Sequence, residues 1–399
     1  MTPSTDHLAL PFFDAAHRDI AARLPEWAAA QDVDERDDRA ACRDWVRRLG
    51  DAGWLRYCVA AEHGGALPAL DSRALVVLRE TLAFHSPLAD FAFAMQGLGS
   101  GAISLGGTPA QRAAYLPAVA RGDKIAAFAL SEPDAGSDVA AMQLQATPAR
   151  ADCVADEPDG VLMLDGRKTW ISNGGMADFY CVFAKTDPQA GSRGITAFIV
   201  DRGTPGLDDS AHIHVMAPHP LAELVFTRCR LGADQQLGEL NGGFKLAMQT
   251  LDIFRASVAA AALGMARRAL AEAIHHARHR RMFGQTLADF QLTQAKLGEM
   301  AALIDAGALL TYRAAWMRDT QQGSMKERSV AAAMAKMTAT ENAQRVIDMA
   351  LQMHGGLGVK VGTKVESLYR DIRSLRIYEG ATEVQQLIIG KAVLQESKA

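Results

Sequence analysis

The chain has 399 residues, 49% of them apolar, and a formal net charge of -4 at neutral pH. That length suits two or three domains, and the apolar content rules out a disordered chain. The slightly acidic balance offers nothing to a polyanion, so nucleic acid is not an expected partner. Five cysteines (Cys42, Cys58, Cys153, Cys181 and Cys229) show no metal-ligand spacing and read as free thiols in a reducing compartment. The stretch MTPSTDHLALPFF has no basic region followed by an apolar core, so no secretory signal is expected. No apolar run is expected to span a bilayer, and the expected location is cytoplasmic.

From Pro11 to Arg121 the pattern is helical. Apolar positions recur every three or four residues in DAAHRDIAARLPEWAAA, ACRDWVRRLGDAGWL and DSRALVVLRETLAF, with Asp71 and Ser72 able to cap the last. EHGGALPAL, from Glu62 to Leu70, is a loop. Gly97, Gly99 and Gly101 thin the side chains of the next segment, which lets a helix crowd a neighbour or, alternatively, a ligand. Thr108 and Pro109 open a further helix, since Pro is tolerated in a first turn.

After Asp123 the period changes. Short apolar runs separated by Asp159-Gly160, Asp165-Gly166 and Gly174-Gly175 predict strands from Lys124 to Leu237, the last being LAELVFTRCRL. From Asn241 the helical period returns in four long segments broken near Gly284, Gly323 and Gly355-Gly356. The implied plan is an N-terminal helical domain (1–123), a middle β-barrel or sandwich domain (124–237) and a C-terminal four-helix bundle (238–399). His275, His276 and His279 are close in sequence, but no carboxylate or cysteine completes a ligand set, and no metal is expected.

The stretch RSLRIYEGATEVQ, 373–385, carries a single carboxylate before its last helix. Glu379 lies between an apolar pair, Ile377 and Tyr378, and a small pair, Gly380 and Ala381. Partial desolvation there would raise its pKa toward the range of a general base. The alternative is an acid that merely stabilises a helix start.

Six segments together resemble the acyl-CoA dehydrogenase family: ALSEPDAGSD (129–138), GRKTWISNGG (166–175), NGGFKLAMQTLDIFR (241–255), RRMFG (280–284), QMHGGLG (352–358) and YRDIRSLRIYEGATEVQ (369–385). They follow the family's order and spacing, and the helix–β–helix plan agrees with its three-domain fold. The resemblance implies FAD held between the middle domain and the bundle. Phe128, Leu130 and Ser131 would run along the flavin, with Gly136 and Ser137 in the adjoining turn. Trp170 and Ser172 would flank the isoalloxazine ring, and Thr382 would touch cofactor. Arg280 and Phe283 would reach the diphosphate and adenine of a neighbouring subunit's cofactor, with Gln352, Gly355 and Gly356 completing that wall. An arginine fork suits a diphosphate because it pairs two oxygens at once. No GxGxxG opens a βαβ unit, so a Rossmann site has no support.

For substrate, the resemblance implies an acyl-CoA thioester contacted by Ser137, Phe254, Arg255, Tyr378 and Gly380. Ser137 could instead cap a helix. Glu379 would take the α-proton while the β-hydride leaves for flavin N5, with electrons passing on to an electron-transfer flavoprotein. Some branches of the family carry the base at the position of Phe254, which cannot accept a proton. A homotetramer is implied as well. Departures from the family pattern are Ala381 where Thr is common, MAPHPLAE (216–223) with His219 and Pro220 in a loop near cofactor, and Met282. An acyl-CoA oxidase using oxygen and a dehydrogenase acting on carrier-protein-bound acyl groups stand as alternatives.

Overall fold

A computed structural model describes residues 5–149 and 160–396. The N-terminal part consists of α1 (Ala15–Ala29), α2 (Asp38–Asp51), α3 (Ser72–His85), α4 (Pro87–Gly106) and α5 (Pro109–Arg121). Their ends follow the chemistry of their caps. Asp71 accepts from the Ala74 amide at 2.8 Å, and Thr108 and Gln111 form a reciprocal capping box around Pro109. The C-terminal part has α6 (Gly243–His279), α7 (Gln291–Asp319), α8 (Met325–His354), α9 (Lys364–Leu375) and α10 (Thr382–Glu396). Between these lie β1 (Ala126–Ala129), β2 (Gln145–Pro148), β3 (Leu162–Ser172), β4 (Phe179–Lys185), β5 (Ile195–Asp201), β6 (Leu207–Ile213), β7 (Leu221–Leu231) and β8 (Gln236–Leu237).

The middle strands form one mixed sheet in the order β6-β7-β3-β2-β4-β5-β8, with β1 parallel to β4. The path does not close, so the barrel half of the expectation is dropped in favour of the sandwich. Only Gln145 opposite Lys185 joins β2 to β4, which divides the sheet into two strand packets. All seven residues of β4 are buried, as its run FYCVFAK suits a strand covered on both faces. Asp165-Gly166 is not a turn. The chain continues through it as β3, with a register shift against β7 there and a second between Lys168 and Ile171. The four described cysteines are buried and free; Cys153 and Asp159 lie outside the described residues.

Two further departures concern the bundle. The arginine-rich end of the first long helix leaves it after His279 and forms a small hairpin, β9 (Arg281–Met282) with β10 (Gln285–Thr286). A fifth helix, α9, precedes Glu379; Val365, Leu368, Ile372 and Leu375 are its buried stripe. α6 is, against expectation, long and apolar enough to cross a membrane by length and composition, but 78% of its most apolar stretch is buried inside the protein, as in a core helix.

By packing, the chain divides into two compact units. One comprises the chain up to Asp32, Asp71–Asp90 and Asp252 onward; the other comprises Val33–Leu70 and Phe91–Leu251. In the first, α6 and α3 touch through Gly264, where an added Cβ would lie 2.1 Å from the Glu80 carbonyl oxygen. In the second, Gly99 of α4 plays the same part, with an added Cβ 2.7 Å from Ala126 of β1. The glycine-rich helix therefore crowds a strand, as the simpler expectation had it.

Candidate active site

The first unit holds Glu379 in a short link between α9 and α10. Glu379 has φ of 51° and Gly380 φ of 92°, two successive residues with positive φ. A side chain at Gly380 would strain the backbone at its positive φ, and its Cβ, 2.3 Å from the Gln385 side-chain amide nitrogen, would displace Gln385. The carbonyl of Gly380 accepts from Lys336 Nζ of α8 at 2.8 Å and from Gln385 Nε2 of α10 at 2.9 Å. Lys336 and Gln385 are both fully buried. Neither was expected from the sequence: Lys336 stands in the Ala-rich run AAAMAKMTAT and Gln385 in the run that opens α10. A lone lysine amid alanines was the available signal.

The Glu379 carboxylate is half-buried, and its Oε2 is enclosed without a hydrogen-bond partner. Burial raises its pKa above the ordinary carboxylate value, against the pull of Arg79, Lys336 and Arg255. Asp90 adds to the rise. Burial lowers Lys336 to about 8 despite the attraction of Glu379 and Glu341. A carboxyl with a raised pKa and a vacant oxygen is suited to take up a proton.

Arg79 and Asp90 form a buried pair that the sequence did not disclose. Arg79 donates to both Asp90 oxygens at 2.8 and 2.9 Å, and through Nη1 to Ser257 Oγ at 2.9 Å. Burial works against the Arg79 charge, but Asp90 outweighs it and holds the guanidinium above its usual pKa. Burial likewise pushes the Asp90 carboxyl up against the pull of Arg79.

Other expected residues of this unit fall into two groups. Phe254 is 1% exposed and Arg255 7% exposed, both on α6; Arg255 pairs with Asp252 and leaves its buried Nε without a partner. Burial raises the Tyr378 phenol above its ordinary pKa. Thr382 turns its hydroxyl to Glu341 Oε1 at 2.6 Å, where Arg376 also donates at 2.8 Å. Separately, Arg280, Gln352, Gly355 and Gly356 line one cavity of about 760 Å³ together with His276 and His354. Phe283, with φ of 48°, is 86% exposed beside it in sequence. The rings of His276 and His354 stack at 4.3 Å, and among the described residues no group of His, Cys, Asp or Glu could hold a metal.

The second unit carries the remaining expected residues. Thr169 N donates to Ser131 O at 3.0 Å, tying β3 to the segment after β1. Lys168, fully buried, bridges Leu130 O at 2.9 Å and Glu132 at 2.8 Å, which fixes the start of the SEPD loop. Phe128 packs on Phe183 at 4.9 Å. Trp170 falls in the β3 register shift with φ of 59° and is 58% exposed, so its flat indole stands out from the strand. Gly136 and Ser137 are exposed. The short turn at Val139–Ala141 starts from Asp138 with no side-chain cap, so Ser137 is not its N-cap. Ser172 Oγ lies 3.2 Å from His219 Nε2.

The three-part helical and mixed-sheet chain thus carries, at Glu379, a partly desolvated carboxylate of the kind that suits proton transfer. The N-terminal, middle and C-terminal domain models of acyl-CoA dehydrogenase match residues 12–123, 127–229 and 241–394. A 3-(aryl)acrylate reductase of Clostridium sporogenes is 37% identical over 96% of this chain and 100% of its own. The human mitochondrial short-chain specific acyl-CoA dehydrogenase is 38% identical over 89% of this chain and 83% of its own. A chain in the solved structure of the electron transferring flavoprotein of Acidaminococcus fermentans superposes with a TM-score of 0.87 at 32% identity, covering 96% of this chain and 98% of that one. The chain belongs to the acyl-CoA dehydrogenase family.

Proposed function

We propose that the protein is an FAD-dependent acyl-CoA dehydrogenase in which Glu379 exchanges the α-proton of an acyl thioester, giving the trans-2-enoyl-CoA. The observation that carries this reading is the Glu379 carboxylate, desolvated, with an unpartnered oxygen. FAD, when bound, would supply a two-electron acceptor for the β-hydrogen. Glu379 would take the α-proton as that hydrogen leaves with its electron pair. The Lys336 and Gln385 bonds to the Gly380 carbonyl hold the base's backbone still during the transfer. The same carboxyl can return its proton to an enoyl thioester, and both a reductase and a dehydrogenase stand among the relatives.

The residues present fit FAD. The outstanding indole of Trp170 suits a flat ring, and the cavity with Arg280, the Gln352 amide and two bare glycines suits a diphosphate. An electron-transfer flavoprotein is the proposed acceptor, supported by the likeness to a chain in such a protein's structure. A homotetramer in the cytoplasm completes the reading; exposed Phe283, Leu292 and Val361 support subunit contacts, and four buried free thiols support a reducing compartment.

The test is a screen of acyl-CoA thioesters against purified protein under anaerobic conditions. Flavin bleaching by at least one thioester is expected, and a colourless protein, or one that no thioester bleaches, overturns the proposal. Rapid turnover with oxygen alone would favour the oxidase alternative instead. Arg280→Ala is expected to weaken FAD retention by about 10–100-fold, the worth of a charge-assisted hydrogen bond. Equilibrium dialysis of the variant against FAD measures it.

A further inference from the structure

The loop MAPHPLAE departs from the family pattern, and it places an imidazole against one of the residues taken to flank the flavin. His219 Nε2 lies 3.2 Å from Ser172 Oγ, and the His219 ring packs on Phe91 with centroids 3.9 Å apart. Its backbone has little freedom. Pro218 and Pro220 stand on either side, the Pro220 carbonyl accepts from Asn173 N at 3.0 Å, and Leu221 pairs with Ser172 across β3 and β7.

We infer that His219 is a positioning residue for Ser172: Nε2 accepts the Ser172 hydroxyl proton, so the serine turns only lone pairs toward the flavin and favours its reduced form. This rests on the FAD reading above. A serine hydroxyl has one proton and two lone pairs, and nothing in Ser172 itself decides which way the proton points. Burial lowers His219 to about 4, so near neutrality the imidazole is uncharged, with one ring nitrogen protonated and the other bearing a lone pair; we assign that lone pair to Nε2, the nitrogen that faces Ser172 Oγ. With its proton committed to His219, Ser172 can only accept from a flavin. A flavin ring nitrogen is an acceptor when oxidised and a donor once reduced, so an acceptor-only neighbour complements the reduced ring.

The experiment compares flavin reduction potentials of wild type, His219→Phe, Ser172→Ala and the double variant, each as holoenzyme equilibrated with a reference dye. Phenylalanine keeps a ring against Phe91 and removes the acceptor. In His219→Phe the equilibrium constant for flavin reduction is expected to fall about fivefold, the worth of one hydrogen bond. In the Ser172→Ala background the same change is expected to have no effect. An unaltered potential in His219→Phe, or an equal shift without Ser172, overturns the inference. A second readout needs no variant to carry flavin normally. In histidine-labelled wild-type holoenzyme, with the signal assigned by its loss in His219→Gln, ¹⁵N NMR should find Nε2 unprotonated. A proton on Nε2 overturns the inference outright. Wild-type protein without flavin would instead defeat the FAD reading, which its colour alone reveals.

Discussion

Glu379→Gln is expected to bind flavin and acyl-CoA with near wild-type affinity and to lose α,β-dehydrogenation by about 10²–10⁴-fold, or more for a proton this weakly acidic. Glutamine keeps the size and polarity of the side chain and removes the basic oxygen. The alternative base position of the family offers no substitute, because Phe254 is 1% exposed and has no proton acceptor. The measurement is the rate of anaerobic flavin bleaching by substrate. A wild-type rate would remove Glu379 from its role. The pH profile supplies an independent sign. Burial raises the Glu379 pKa, so the carboxyl becomes protonated, and inactive as a base, at a higher pH than an ordinary carboxylate. kcat/KM should therefore fall with decreasing pH through a value above the usual carboxylate range. That limb should be missing from the residual rate of Glu379→Gln.

Arg79→Leu should be the most damaging change to stability near the site. The Arg79–Asp90 pair is bidentate, and each partner is 2% exposed. Removing one member leaves a buried carboxylate without its counter-charge, at a cost of about 3–5 kcal/mol. Removing both leaves apolar side chains in an apolar setting, so Arg79→Leu/Asp90→Leu should recover most of the loss. Urea unfolding of wild type and the two variants checks this; a double variant as weak as Arg79→Leu would refute it. Activity adds a second readout. Arg79 pulls the Glu379 pKa down and Asp90 pushes it up. Losing Arg79 alone should therefore move the acidic limb of the rate profile to higher pH. Losing both should return it part of the way.

Helix boundaries and strand positions were legible wherever a period and a cap coincided. α3 begins after Asp71 and α5 after Thr108, as their caps require, and β7 spans the predicted LAELVFTRCRL. Asp165-Gly166 misled because a turn dipeptide also serves as a bulge inside a long strand. α9 has a clear apolar stripe in Val365, Leu368, Ile372 and Leu375, yet twelve residues beside a motif are easily taken as part of the motif. Glu379 stood out locally because it is a single carboxylate between apolar and small neighbours. Its support did not. Arg79 is separated by 300 positions from the base whose charge it influences, and Lys336 and Gln385 reach the link from two different helices. Such pairings are set by packing between distant segments, and no local period records them. His219 was visible only as a departure, with no sign that Ser172 would be its partner.

The two positive-φ residues at 379 and 380 mean that fold and chemistry compete for one position. Glycine would occupy φ of 51° at Glu379 without penalty, whereas a side chain there costs on the order of 1–3 kcal/mol. The link keeps its shape through the Gly380 carbonyl, which Lys336 and Gln385 grip whatever residue precedes it. A chain selected for robustness alone would drift to glycine at 379 and lose the proposed proton acceptor. With Glu379 as the proposed base, glutamate there is a concession of stability to chemistry.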